Sequence, residues 1–398
     1  MKLRLFDQSS ELAVEENRPP ATLPASGFAP QRVLITRLSA IGDCVLTLPL
    51  AVRIKELWPD CHLTWLVDCA AAQLLEDHPN IDRVIKIEKR WLAHPRRWSA
   101  LRQQLQAEKF DIVFDPQGLT KSSLLGRLSG AKLRVGFDYS HARELAPLLA
   151  NCRVHRTARH MVDTYLELLN PWCETPLGTG QFNMPVYSAE SARIESLLGE
   201  LGWRNAAAPS SIAKSSLGKP ATPTASWIAL NVGAGWPSKQ WPPERLGRVA
   251  QEVFQRYGHH SLVLWAGQNE QALAEQAVAH SAGAAVMAPD TNLRELVELI
   301  RRATMLISAD TAALQIASAV GTPCIGLFGP TWADEVGPYA NQHASIQSCV
   351  LPDSERGMRR SSNASMNAIE LSEVVHACHK LLAPAAQISS LRLCQAAA

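Results

Sequence analysis

Asp43 ends the run LSAIGD, between an apolar stretch, RVLIT, and a helical one. A carboxylate there has two uses. It can cap a helix by accepting hydrogen bonds from the first helical N–H groups, or it can take a proton from a hydroxyl in a crevice as a general base. Gly42 beside it permits a close backbone approach. A second stretch, NVGAGWPSKQWPPERL, joins Gly233, Gly235 and Lys239 to Pro242–Pro243, a pair suited to the first turn of a helix. Its N–H groups and single ammonium suit an anion; the plainer reading is a Gly-rich turn with a solvated lysine. In the third, SADTAALQIASAVG, a strand ends at Ser308–Ala309–Asp310–Thr311 and a helix of small residues starts at once. A bare helix N-terminus beside a hydroxyl suits a diphosphate, and a capping role for Asp310 is compatible with that use. The first run has neither a Walker A lysine nor a G-x-G-x-x-G pattern, so dinucleotide binding by that fingerprint is not supported.

These stretches need a scaffold that presents strand-to-helix turns together. RVLITRL reads as a buried strand, and the helix after it keeps Val45, Leu48, Val52, Ile54 and Leu57 on one face. HLTWLVD, DRVIKI, DIVFDPQG and RVGFD continue as strands, alternating with the helical AAQLLEDH, RWSALRQQLQAEKF and TKSSLLGRLSG. The second half repeats the rhythm with strands SWIALNVGAG, SLVLWAG, TMLISAD and PCIGLFGP. All-apolar strands alternating with helices imply parallel sheets covered on both faces. The expectation is α/β: two doubly wound domains facing each other, with ligands at the carboxyl ends of the strands and the site in the cleft between them. The divisions are a floppy leader (1–30), a first domain (31–190), a junction helix and Ala/Ser/Pro-rich insertion (191–226), a second domain (227–350), and a loop, terminal helix and tail (351–398).

The composition narrows the partners. Of 398 residues 46% are hydrophobic and the net charge is +2, so large cores are available and no global basic field argues for nucleic acid. The nine cysteines include no Cys-x-x-Cys pair, which fits buried thiols in a reducing compartment better than a disulfide framework or a zinc site. The leader lacks the apolar core of a signal peptide, and no run of 18 apolar residues would span a membrane. From Arg83 to Lys109 eight Lys or Arg face only Glu88 and Glu108, and Lys121, Arg134 and Arg143 follow. That local excess favours an anionic ligand on the first domain.

In this order, the strand–RLSAIGD–helix unit, GAGWPSKQWP, and SADT before a helix and GLFGPT resemble glycosyltransferase family 9, the lipopolysaccharide heptosyltransferases, from about Arg32 to the helix MNAIELSEVVHACHKLL. DPQGLTKS and FDYSHARE look most like heptosyltransferase I. The resemblance implies a GT-B fold of two facing Rossmann-like domains, with a nucleotide-sugar donor, ADP-heptose, on the second domain and a Kdo-containing glycolipid acceptor on the first. The donor is a substrate; no cofactor is implied, and no metal. Asp43 matches the family's general base in an inverting displacement. Lys239, Asp310 and the helix start at Thr311–Ala312 would meet the leaving diphosphate beside Gly235, and Glu270 matches an acid used on the nucleotide ribose. The basic excess, represented by Arg90, Arg96, Arg97, Lys121 and Arg143, would hold Kdo carboxylates and lipid phosphates. A cytoplasmic protein, peripheral on the inner face of the inner membrane, is implied. Two positions depart from the family pattern: Ala312 replaces a glycine, and Gln315 stands where histidine is expected. The alternatives are another donor sugar or acceptor on the same fold, as in heptosyltransferase II, or a non-catalytic sugar-nucleotide-binding relative.

Overall fold

The computed structural model describes residues 28–88, 91, 95–173, 179–203, 226–349 and 362–383. The first half runs β1 (Arg32–Thr36), α1 (Ile41–Leu57), β2 (His62–Asp68), α2 (Cys69–Leu75), β3 (Arg83–Ile87), α3 (Pro95–Ala107), β4 (Ile112–Asp115), α4 (Thr120–Leu128), β5 (Leu133–Phe137), α5 (Ala146–Leu149) and β6 (Cys152–Val154). Then α6 (Met161–Leu166) and α7 (Ser188–Glu200) lead to the second half. It comprises β7 (Trp227–Asn231), α8 (Pro243–Tyr257), β8 (His260–Leu264), α9 (Gly267–Ala279), β9 (Ala285–Met287), α10 (Leu293–Arg302), β10 (Leu306–Ala309), α11 (Ala312–Val320), β11 (Cys324–Leu327), α12 (Ala333–Val336), β12 (Ala344–Ile346), α13 (Ala364–Asn367) and α14 (Leu371–Leu382).

Each half builds a six-stranded parallel sheet, in the orders β3-β2-β1-β4-β5-β6 and β12-β11-β10-β7-β8-β9. Read from the opposite edge, the second repeats the first, so each has one point where the strand order reverses: between β1 and β4, and between β7 and β10. In open α/β sheets ligands bind at such points, beyond the carboxyl ends of the strands. LSAIGD follows β1, DPQG follows β4, NVGAG follows β7 and SADT follows β10. The sequence motifs therefore sit at the two switch points.

The strands are apolar because both faces are covered. Val33, Leu34 and Ile35 of β1 are fully buried, and Ile35 pairs in register with Trp65 and Phe114. One apolar cluster runs from β1 through Val45 and Leu48 of α1 to Leu314 and Ile316 of α11, so the two halves share a core. This corrects the expectation of a single apolar face on α1. The helix is buried continuously from Cys44 to Val52, because it lies between its own sheet and the second domain. The junction helix, α7, packs on α10. There Glu298 is fully buried, accepts from Tyr187 N at 3.0 Å and pairs with Arg302 at 2.8 Å.

Three strands were not foreseen, β6, β9 and β12. Each is three residues long at or beside a sheet edge, too short for a periodic signal. The expected leader (all but its last residues), most of the insertion near 204–226, and the start of the 351–366 loop lie outside the described residues.

Candidate active site

On the first domain, β1 ends at Thr36 and the chain turns into α1, whose N-cap is Ala40. Asp43 is therefore the third helical residue and not the cap. Its carboxylate reaches back to accept from Ala40 N at 3.2 Å, the glutamate's part in a capping box. The same oxygen, Oδ2, takes Arg37 Nη2 at 2.8 Å. Among the described residues no hydrogen bond or ion pair engages Oδ1, and the side chain is 41% exposed.

Arg37 was not singled out in the sequence, and it anchors this corner. Its side chain is buried, lies 5.2 Å from the Tyr165 ring centre, and donates from Nη1 to Pro116 O at 3.2 Å. Burial opposes its charge, but Tyr165 and Asp43 beside it outweigh that and hold the guanidinium protonated. The turn after β4 is locked in the same network. Leu38 N donates to Gln117 Oε1 at 2.8 Å, and Asp115 Oδ1 accepts from Gln117 N and Gly118 N, both at 3.1 Å. Burial pushes the Asp115 carboxyl up against those bonds. Burial, with Arg156, Arg37 and Arg143 nearby, brings the His141 imidazole down to about 3.

On the second domain, Lys239 Nζ pairs with Asp310 Oδ2 at 2.5 Å and lies 4.2 Å from the Trp236 ring centre. Thr311, not Asp310, is the N-cap of α11, and its hydroxyl makes no capping bond. It bonds instead to Ser308 Oγ at 2.9 Å and accepts from Asn231 Nδ2 at 3.2 Å, tying β7 to β10. The first turn of α11 thus keeps N–H groups free of any side-chain cap, next to an ammonium, which is the geometry for an anion. Glu270, in the first turn of α9, accepts from Ala266 N at 2.8 Å, and burial raises its carboxyl. A Cβ on Gly233 would stand 2.6 Å from Glu270 Oε2, so a larger residue there would displace the Glu270 carboxylate from the loop. Gly235 faces open space.

The two corners meet. A Cβ on Gly42 would stand 3.3 Å from Gln315 Cγ and 3.5 Å from Ala312 Cα, so the N-termini of α1 and α11 abut across the cleft. Gln315 is buried, its Nε2 donates to Val336 O at 2.7 Å, and its Oε1 is without a partner.

The first-domain cations divide. Arg83 pairs with Glu108, and Lys86 with Glu76 at 2.6 Å, so part of the excess is neutralised within the fold. Lys121 and Arg143 both lie near Glu144, whose carboxylate accepts from Thr120 N at 3.2 Å beside the turn after β4. Arg90 lies outside the described residues. Arg96 and Arg97 belong to the start of α3, and their side chains are also outside.

A sequence profile of glycosyltransferase family 9 (heptosyltransferase) matches residues 98–365, two-thirds of the chain. The chain belongs to glycosyltransferase family 9. It is therefore a glycosyltransferase, and the facing sheets are its GT-B domains. The lipopolysaccharide heptosyltransferase 1 of Pseudomonas aeruginosa is 26% identical over 330 residues, covering 80% of this chain and 84% of the relative. That of Escherichia coli K12 is 28% identical over 318 residues, covering 77% and 91%. Among solved structures, a family 9 glycosyl transferase from Veillonella parvula superposes with a TM-score of 0.70 at 21% identity, covering 88% of this chain and 97% of the other. The E. coli heptosyltransferase WaaC with ADP gives 0.67 at 22% identity, covering 88% and 99%.

Proposed function

We propose that this family 9 enzyme moves a heptose from ADP-heptose to a Kdo-containing acceptor of the lipopolysaccharide inner core, by direct inverting displacement. The observation that carries this reading is the abutment of α1 and α11 at Gly42 and Ala312. It sets a half-exposed carboxylate on one side of the cleft against an ammonium and uncapped helical N–H groups on the other. A base opposite a leaving-group site is what inversion at an anomeric carbon requires. The named relatives support the donor, since WaaC has been solved with ADP and with ADP-2-deoxy-2-fluoro heptose.

In this mechanism Asp43 Oδ1 accepts the acceptor's hydroxyl proton as the oxygen attacks the anomeric carbon. Arg37 and Ala40 N hold Oδ2, which fixes the carboxylate's orientation. The bond from the anomeric carbon to the diphosphate breaks, and the charge that develops on ADP is met by Lys239 and the first-turn N–H groups of α11. Asp310 positions Lys239. Glu270 accepts from ribose hydroxyls beside Gly233 and Gly235. Lys121 and Arg143 bind acceptor anions, a task extended to Arg90, Arg96 and Arg97. The enzyme acts at the inner face of the inner membrane.

The test is mass spectrometry of acceptors incubated with enzyme and ADP-heptose, together with ADP release. A Kdo-terminated acceptor should gain one heptose, an already heptosylated core should gain none, and Asp43→Asn should lower turnover by about 10²- to 10⁴-fold. Transfer only to the heptosylated core would replace this acceptor assignment with a later one. Near-native turnover in Asp43→Asn would remove the base.

A further inference from the structure

Six large apolar side chains stand exposed on the described surface: Tyr139, Leu145, Leu148, Val186, Leu201 and Phe254. Three of them fall in the short segment between β5 and β6, with Tyr139 57%, Leu145 58% and Leu148 43% exposed. The segment is ordered and has a buried side of its own. Ala142, Ala146 and Pro147 face the core, while Leu145 and Leu148 lie one turn apart, linked by Leu148 N to Leu145 O at 3.1 Å. An isolated exposed leucine needs no explanation, but two leucines one turn apart on a supported loop, with Tyr139 exposed earlier on the same loop, mark an interaction site.

Cations border the patch. Arg143 is exposed within it. Lys121 adjoins it, because Leu145 N donates to Thr120 Oγ1 at 3.2 Å. The backbone of Arg156 joins Tyr139's turn, its N–H donating to Ser140 Oγ at 2.8 Å, but its guanidinium is held within the loop by Ala158 O at 3.0 Å and Arg159 O at 2.6 Å. The acids here are Glu144, engaged by Thr120, and Asp138, engaged by Ser140 and His155. The patch is also joined to the cleft. Arg143 N donates to Gly118 O at 2.8 Å, on the turn whose Pro116 O receives Arg37, the partner of Asp43.

We propose that this segment docks the enzyme on an anionic lipid bilayer. Tyr139, Leu145 and Leu148 enter the boundary between headgroups and acyl chains, and Lys121 and Arg143 meet the headgroup phosphates. Apolar side chains ringed by cations fit an anionic interface, where each cation near the surface adds to the attraction. The near-neutral net charge of +2 gives no general field, so the attraction must be local. No described helix is long and apolar enough to cross a membrane. The patch would hold the first-domain end of the cleft against the layer from which a lipid-linked acceptor emerges, a placement that rests on the function proposed above.

The test is co-sedimentation of the full-length protein with vesicles of phosphatidylethanolamine and phosphatidylglycerol, and with neutral phosphatidylcholine vesicles. Binding should require the anionic lipid and should weaken as salt rises from 0.1 M to 1 M, where the Debye length falls from about 10 Å to about 3 Å. The double variant Leu145→Ser/Leu148→Ser should bind about tenfold or more weakly, since each inserted leucine is worth several-fold. Its melting temperature and its turnover of a water-soluble, deacylated acceptor should match the wild type. Wild-type protein that ignores anionic vesicles, or a double variant that binds as well as wild type, overturns the proposal. So does a wild-type dimer that the double variant loses in sedimentation velocity, which would make the face a self-association surface. Should neither protein transfer sugar while vesicle binding is still lost in the variant, the docking surface stands and the proposed function falls.

Discussion

The Asp43–Arg37 pair makes an unequal prediction, because its two members differ in burial. The Arg37 side chain is 6% exposed and that of Asp43 is 41% exposed. Asp43→Ala leaves a guanidinium inside the protein with a carbonyl and an aromatic ring as its remaining partners. Removing one partner of a fully buried pair costs about 3–5 kcal/mol. Water reaches the Asp43 side and screens this one, so a cost of about 2–3 kcal/mol is expected. Arg37→Met removes the buried charge, keeps most of the volume, and returns Asp43 to water, for about 1 kcal/mol or less. The double variant should therefore be more stable than Asp43→Ala alone, with a coupling of about 1–2 kcal/mol. At about 2–4 °C per kcal/mol for a domain of this size, Asp43→Ala should lower the melting temperature by about 4–12 °C, and the added Arg37→Met should recover only the excess of the coupling over its own cost, about 1 kcal/mol or about 2–4 °C. Calorimetry of the four proteins measures this cycle, and turnover separates its chemistry. Both proteins lacking Asp43 should be inactive, whereas Arg37→Met should lose kcat with little change in donor KM, because it keeps the base but not its orientation. If the two destabilisations simply add, Arg37 does not depend on Asp43 for its charge balance and the reasoning fails.

Lys239→Ala should weaken ADP binding and slow turnover together, because it removes the ammonium beside α11 and leaves Asp310 unpaired there; calorimetric titration with ADP checks it, and unchanged affinity would take Lys239 out of the site. Gly42→Ala places a methyl group 3.3 Å from Gln315 Cγ, so turnover should fall while the melting temperature moves little; full activity would show that the domains need not approach this closely. His141 is held neutral by burial, with its pKa at about 3 in the folded state against an ordinary value near 6.5. Between those values the unfolded chain binds the extra proton, so this contribution is fully present above about pH 6.5 and is lost as pH falls toward about 3. His141→Gln should flatten the melting temperature against pH over that window; an unchanged slope would assign the acid sensitivity elsewhere.

The sequence alone determined the elements that depend on near neighbours. β-branched runs such as RVLIT and HLTWLVD specify doubly covered strands, and the four strand-to-helix turns carry Gly42, Gly118, Gly233 and the small-residue start of α11. Two facing α/β domains follow from that rhythm, as do the positions of Asp43, Lys239, Glu270 and Thr311 at strand ends. Three-residue strands such as β6 carried too little pattern to read. Tertiary structure decided which group each side chain meets. Ala40 and Thr311 are the N-caps in place of Asp43 and Asp310, because the backbone turns helical only after them; Asp43 then bonds back to Ala40 N and pairs with Arg37, and Asp310 pairs with Lys239. The helix after β1 became buried on every side from Cys44 to Val52 because α11, more than 250 residues later, lies against it. Arg83 and Lys86, which count as basic excess along the chain, are neutralised by Glu108 and Glu76. Local periodicity reports backbone geometry and which face is dry. Charge pairing and close approach belong to groups distant in sequence, and the fold alone brings them within reach.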